Sequence, residues 1–297
     1  MRSTIPAVRT WNLTKTFNQK DKDEARKADK RKEKVVVDHI TLNIPQGEFF
    51  GLLGPNAAGK TTLTKMLVTL LLPDGGGAQV NGFDLLKESA GVRSSIGHLH
   101  GETGGRSLYW RLTGRDNLWF FAYLQDVPPN IAKKRIDALL EYFNLEKIAN
   151  KEVRKYSTGE KVKTMLARTL LHNPPILILD EPTIGLDAIT AVETRKFLQI
   201  LNKELKKTII FTSHVMSEVE QLCERIAIIH HGKILTDTTP RDLRRIVKDQ
   251  QVVAIRIFDS KKANVSKTRD LLDTLPGVRE ILDMREEPPF IIIRILV

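Results

Sequence analysis

Cysteine is nearly absent. Cys223 is the single one in 297 residues, which excludes an internal disulfide and any multi-cysteine metal site. Beside Leu222 in a helix-like stretch, it reads as a small buried hydrophobe. Aromatic residues make up only 6% of the chain, and no basic run is interleaved with them as single-strand nucleic-acid binders prefer. The net charge of +11 therefore reads first as a Lys-rich solvated surface, with nucleic acid or an anionic membrane surface as the second reading. No apolar run reaches the length needed to cross a bilayer. The N-terminus, MRSTIPAVRTW, lacks the apolar core of a signal peptide, so a cytoplasmic location is expected. Against these absences, 41% hydrophobic and 28% charged residues are the balance of a globular protein with one large or two smaller domains.

The stretch with the strongest chemical content is GPNAAGKTT: Gly54, Pro55, Asn56, Ala57, Ala58, Gly59, Lys60, Thr61 and Thr62. An apolar run, Phe49–Leu53, precedes it and a helical pattern, Leu63–Val68, follows. Strand, Gly-rich loop and helix is the setting a phosphate-binding loop requires, because backbone N–H groups and a helix N-terminus must converge on the phosphates. Lys60 is expected to reach the β- and γ-phosphates of ATP, and the Thr61 hydroxyl to ligate Mg²⁺. At Ala57, where glycine is usual, a methyl is expected to be tolerated only with φ below zero.

The rest of the chain alternates strand and helix patterns. Residues 5–17 begin as a strand, and Gln19–Lys34 reads as a solvated charged insertion. Strand patterning resumes over Val35–Ile44, and Pro73–Gly77 reads as a breaker. Helical spacing dominates residues 115–155 and resumes near Ser157, up to Asn173-Pro174-Pro175. Ile176–Leu179 is a continuous apolar run of the kind buried on both faces of a parallel sheet. It ends in Asp180 and Glu181. Asp180 is placed to hold Mg²⁺, and Glu181 to deprotonate the water that attacks the γ-phosphate. A helix over Ala188–Leu205, a strand over Thr208–Thr212, a helix over Met216–Leu222 and a strand over Arg225–His230 complete an α/β core. Beyond Thr239-Pro240, strand, helix, strand, strand is expected, with the final apolar strand Ile291–Ile295 covered by a partner or packed on the main body.

From residue 5 to about 240 the sequence resembles the ATP-binding cassette (ABC) ATPases. ILILDEPTIGLD (Ile176–Asp187) resembles the family's Walker B strand, catalytic glutamate and D-loop, with Asp187 in the last. FTSH resembles the switch segment, so His214 would contact the γ-phosphate. YSTGEK resembles the signature motif, which in the family binds ATP held on a partner's P-loop. Ser157 and Gly159 match it, while Thr158 and Glu160 replace glycine and glutamine. Phe17 matches the aromatic that stacks on adenine, a core aromatic being the alternative. Glu102 stands in the Q-loop position, where a carboxylate can also ligate Mg²⁺.

The resemblance implies an ABC cassette over 1–240, with a helical subdomain at about 106–172, and a small C-terminal α+β domain over 241–297. Tyr109, Trp110, Leu112, Trp119, Phe120 and Phe121 supply the subdomain's contact surface or its core, with core expected for most. It further implies an ATP-hydrolysing homodimer on the inner face of the membrane, driving a separate transmembrane permease of exporter type, with no DNA or RNA partner. Two other readings stay open: a soluble ABC ATPase acting on nucleic acid or the ribosome, and a nucleotide-dependent binding protein with impaired hydrolysis.

Overall fold

The computed structural model describes residues 5–19, 32–100, 108–248, 252–258, 272, 280–287 and 290–296. The chain divides into two compact units, Met1–Thr238 and Thr239–Val297.

In the first unit, β1 (Val8–Gln19), β2 (Lys32–Ile40) and β3 (Asn43–Ile44) lead to β4 (Phe49–Leu53) and α1 (Lys60–Leu67). Then come β5 (Gly75–Val80), β6 (Phe83–Asp84), α2 (Ser89–Ser95) and β7 (Ile96–Leu99). Three helices follow: α3 (Gly114–Leu124), α4 (Pro129–Tyr142) and α5 (Thr158–Leu170). The unit closes with β8 (Ile176–Asp180), α6 (Ala188–Lys203), β9 (Thr208–Ser213), α7 (Met216–Leu222), β10 (Arg225–His230) and β11 (Lys233–Thr238).

The six-stranded sheet has the order β11-β10-β4-β9-β8-β7, parallel throughout except for the antiparallel edge strand β11. Its central strands are apolar on both faces because each face is covered. Along β8, Ile176 and Ile178 enter one core with Phe50, Leu52 and Ile210, while Leu177 and Leu179 enter the other with Phe49, Phe211 and Leu166. The second sheet, β2-β1-β5-β6 with β3 on β1, is antiparallel.

Three expectations change here. Gly75–Gly77 form part of β5 instead of breaking the chain. A Cβ on Gly76 would lie 2.2 Å from the Asn12 carbonyl oxygen, and one on Gly77 2.5 Å from the Trp11 ring. Glycine admits this close approach, beside a register shift between Trp11 and Thr14. The charged insertion is shorter than Gln19–Lys34: Gln19 pairs with Lys32, and Phe17 with Lys34, in the β1–β2 ladder. Residues 20–31 lie outside the described residues. The helical-segment aromatics are mostly not core. Tyr109, Trp110, Leu112 and Phe120 are exposed, while Trp119 and Phe121 are partly buried against the core. The buried face of α3 is taken instead by Gly114, Asn117, Leu118 and Ala122. Asn117 is fully buried, accepts from Tyr109 N and donates to the Tyr109 and Thr113 carbonyls.

In the second unit α8 (Pro240–Lys248) is followed by β12 (Val252–Phe258), β13 (Glu280–Glu287) and β14 (Phe290–Leu296), in the antiparallel order β12-β14-β13. The apolar run Ile291–Ile295 thus lies in the central strand of its own sheet, with Ile293 fully buried. Of the helix expected between the first two of these strands, only the buried Leu272 is described.

Candidate nucleotide phosphate site

Sheet order gathers the site. Parallel strands β4, β9 and β8 are neighbours, so their carboxyl ends, where open α/β sheets bind ligands, present Gly54, His214 and Asp180–Glu181 together. The loop after β4 is pinned from both sides. Gly54 N donates to the Ser213 carbonyl at 3.2 Å, and Gly232 N donates to the Ala58 carbonyl at 2.9 Å. Gly54 and Gly59 leave no room for a side chain: a Cβ would stand 2.3 Å from the Ile229 carbonyl oxygen and 2.6 Å from the Val36 carbonyl oxygen. Gly59 also has φ +111° just before α1, a conformation open to glycine. A cavity of about 230 Å³ lies against this loop, lined by Lys34, Val36, Asn56–Thr62 and Glu181. Glycine backbone held open, a helix N-terminus and a lysine suit a phosphate chain.

Ala57 takes φ +62°. The expectation of a negative φ is corrected: the loop imposes the left-handed turn regardless of the methyl.

Lys60 is buried and lies over its own loop. Its Nζ donates to the Gly54 carbonyl at 2.7 Å and the Pro55 carbonyl at 3.0 Å, and stands 3.4 Å from Glu181 Oε1. Glu181 in turn meets His214 Nδ1 through Oε2 at 3.2 Å. Asp180 is buried, and the Thr212 hydroxyl donates to it at 2.5 Å. Sequence reasoning gave Thr212 no role, although it sits directly across from Asp180 in the β8–β9 register. Its hydroxyl also accepts from Glu181 N at 3.1 Å. Its place two residues before the switch histidine, on the strand beside the acidic pair, is the signal that could have found it. His100 Nδ1 stands 3.7 Å from the other Asp180 oxygen. Thr61 and Thr62, half-buried, complete the start of α1. Among the described residues no three His, Cys, Asp or Glu side chains cluster to hold a metal. Of the described residues, the Thr61 hydroxyl and the Asp180 carboxylate are those that would hold a Mg²⁺ here, with phosphate and water as its other ligands.

Other predicted residues lie elsewhere. Ser157 caps α5: its hydroxyl accepts from Glu160 N at 3.2 Å, and Glu160 Oε2 accepts from Ser157 N at 2.7 Å, a capping box. Asp187 caps α6, accepting from Ile189 N, Thr190 N and the Thr190 hydroxyl. The Thr190 N–H holds its carboxyl below the usual range. These two helix starts adjoin, since a Cβ on Gly159 would be 3.1 Å from Thr190 Cγ2. Ser157 and Thr158 are exposed, and none of Ser157–Glu160 lines the loop's cavity. Phe17 is also exposed, paired across the hairpin with Lys34, which lines that cavity. Glu102 lies outside the described residues.

A profile of the family described as "ABC transporter" matches residues 37–184. The chain is 41% identical over 208 residues to the ABC transporter ATP-binding protein NatA of Bacillus subtilis, covering 70% of this chain and 83% of that one. It is 38% identical to the bacitracin transport ATP-binding protein BcrA of Bacillus licheniformis, covering 77% and 72%. Among solved structures, the dimeric post-hydrolysis state of the cassette MJ0796 bound to ADP and Pi superposes with a TM-score of 0.69 at 25% identity, covering 79% of this chain and 99% of that one. For CbiO1 of Clostridium perfringens, part of the transporter complex CbiONQ, the TM-score is 0.67 at 25% identity, covering 81% and 91%.

Proposed function

This chain belongs to the ABC transporter family, and from that premise we propose how its residues divide the work of its ATP-binding and ATP-hydrolysing subunit. The loop Gly54–Lys60 and the start of α1 receive the phosphates, and Lys60 turns from its own carbonyls to the β- and γ-phosphates. Phe17, beside Lys34 on the β1–β2 hairpin, stacks on adenine. Thr61 and Asp180, and Glu102, which follows β7 in the chain, would hold Mg²⁺, which would neutralise charge between the β- and γ-phosphates. Thr212 fixes the rotamer of Asp180. Glu181 accepts a proton from water as the water oxygen bonds to the γ-phosphorus, while the bond to the β-phosphate oxygen breaks and ADP leaves. His214 orients Glu181 and faces the transferred group.

The observation that carries this reading is the convergence of Lys60, Glu181 and His214 within 3.4 Å of one another along a chain of contacts. Two copies of the chain form the working unit, Ser157, Gly159 and Asp187 of each facing the loop of the other, since they do not reach their own. A separate permease takes the exposed apolar surface of Tyr109, Trp110, Phe120 and Tyr123. Through that permease the chain sits on the cytoplasmic face of the membrane; among the described residues no helix is long and apolar enough to cross it. Export is the proposed direction of transport.

Nucleotide-binding and turnover assays test the assignment together. Lys60→Ala is expected to abolish ATP binding. Glu181→Gln is expected to bind ATP and to hydrolyse it about 10²–10⁴-fold more slowly. Wild-type affinity in the first variant would remove the loop assignment, and wild-type turnover in the second would remove the base.

A further inference from the structure

Away from the phosphate site, two cations adjoin an apolar trough, and among the described residues neither is ion-paired with an acid. The trough follows the seam between α4 and α6. Leu139, Tyr142, Phe197 and Ile200 line it, with the Tyr142 and Phe197 rings packed together at 4.8 Å between centroids. Its volume is about 320 Å³, at the lower end of the roughly 300–1,000 Å³ of small-ligand sites. Lys207 and Arg135 line it as well, near enough to each other for the arginine's charge to act on the lysine.

Lys207 is only 7% exposed. Its Nζ donates to Asn173 Oδ1 at 2.8 Å and to the Pro174 carbonyl at 2.7 Å, both neutral, leaving one N–H uncommitted. Arg135 Nη1 donates to the Leu171 carbonyl at 2.6 Å. Among the described residues neither cation pairs with a carboxylate. Burial, with Arg135 adding to it, lowers the lysine's hold on its proton. An unpaired buried cation is costly, and an anion beside it relieves that cost. Further along, Tyr142, Phe197 and Ile200 also line an adjoining hollow of about 310 Å³. There Thr194 Oγ1 is buried without a hydrogen-bond partner.

We propose that this seam binds a single-chain aliphatic carboxylate, with its head between Arg135 and Lys207 and its chain along Leu139, Phe197 and Ile200. Two neighbouring cations lining one cavity match the two oxygens of a carboxylate. The apolar walls exclude a hydrated polar body and favour methylenes. Such a ligand bridges α4, in the helical segment, and α6, against the sheet, and so braces one on the other.

Calorimetric titration of the full chain with octanoate, decanoate and dodecanoate below their micellar concentrations tests the proposal. The expected result is one saturable site per chain, with affinity rising about fourfold per added methylene, the effect of burying one CH₂. Dodecanol should bind about tenfold more weakly, having lost the charge-assisted hydrogen bonds, and dodecylamine should not bind. Arg135→Gln should weaken dodecanoate by a similar factor. Ile200→Trp, which fills the trough, should abolish binding while leaving the melting temperature and ATP turnover as in the wild type. Absence of saturable binding, equal affinity for dodecanol, or full binding by a folded Ile200→Trp protein would overturn the proposal.

Discussion

Ala57 shows most sharply what a single residue concedes to its loop. A side chain in the left-handed region costs about 1–2 kcal/mol relative to glycine, yet Ala57 adopts φ +62°. Its methyl is exposed, so little packing offsets that cost. Ala57→Gly removes the strain but also frees the unfolded chain, which returns about 0.4–1 kcal/mol. A net gain of up to about 1.6 kcal/mol in urea unfolding is expected, with ATP affinity unchanged. A clear loss of stability would mean that the methyl packs in the folded loop. Sequence made the loop's identity plain, because the spacing of Gly54, Gly59 and Lys60 is a chemical requirement. It did not reveal the torsion, because φ at Ala57 is imposed by contacts as distant as Ser213 and Gly232. Glu181 is a parallel case, with φ +48° beside Thr212 in a setting where strain and chemistry often coincide. Glu160 was legible as a departure from the motif. Its reciprocal bonds with Ser157 show a carboxylate turned back onto its own helix.

Elements were readable where burial is two-sided. The runs in β4, β8 and β9 stand out because both faces enter a core. β11 and α2 escaped notice for opposite reasons. KILTDT is an edge strand that buries no residue fully and takes its order from pairing with β10, and α2 is only seven residues long, with Gly91 and little apolar stripe. The exposed aromatics of the helical segment misled because helical spacing alone does not say which face is inward; buried Asn117 does. β7 carries a further consequence. His98 lies on it with its pKa lowered to about 4, by burial and then by neighbouring His100. In the unfolded chain it takes up a proton near pH 6.5. Between these values the unfolded state binds more protons, so stability falls on acidification from about pH 6.5 to about pH 4 and is unaffected by this group above that window. His98→Phe should lose less stability across the same window, as read from urea midpoints against pH. Parallel curves for the two proteins would mean that His98 does not carry the effect.

On the reading proposed above, the first unit carries half of a site at each of two places. The loop cavity contains Lys60 and Glu181, whereas Ser157, Gly159 and Asp187 gather at the exposed starts of α5 and α6. Apolar side chains surround the latter: Ile189 is 74% exposed, and Ile184 and Val192 each 41%. A second copy placed head to tail would cover them and join each signature to the other's nucleotide. ATP then becomes part of the interface, and a ligand bound only by the pair stabilises the pair by mass action. Hydrolysis erases that ligand, so the test must stop it. Glu181→Gln keeps Lys60, Thr61 and Asp180 but cannot take the proton from water. Size-exclusion chromatography with light scattering should show this variant as a dimer with ATP and a monomer without nucleotide. Adding Ser157→Arg should abolish the dimer by clash at the partner's phosphates while sparing each chain's own affinity for ATP. Arginine also removes the cap of α5, a loss of about 1 kcal/mol, so Ser157→Ala serves as its control: the same cap is gone, but no bulk reaches the partner. A dimer that survives Ser157→Ala and fails with Ser157→Arg places the signature at the partner's nucleotide. A dimer indifferent to both variants would put the interface on another surface, and a Glu181→Gln protein that binds ATP and stays monomeric would mean that the two nucleotides alone do not hold the pair together.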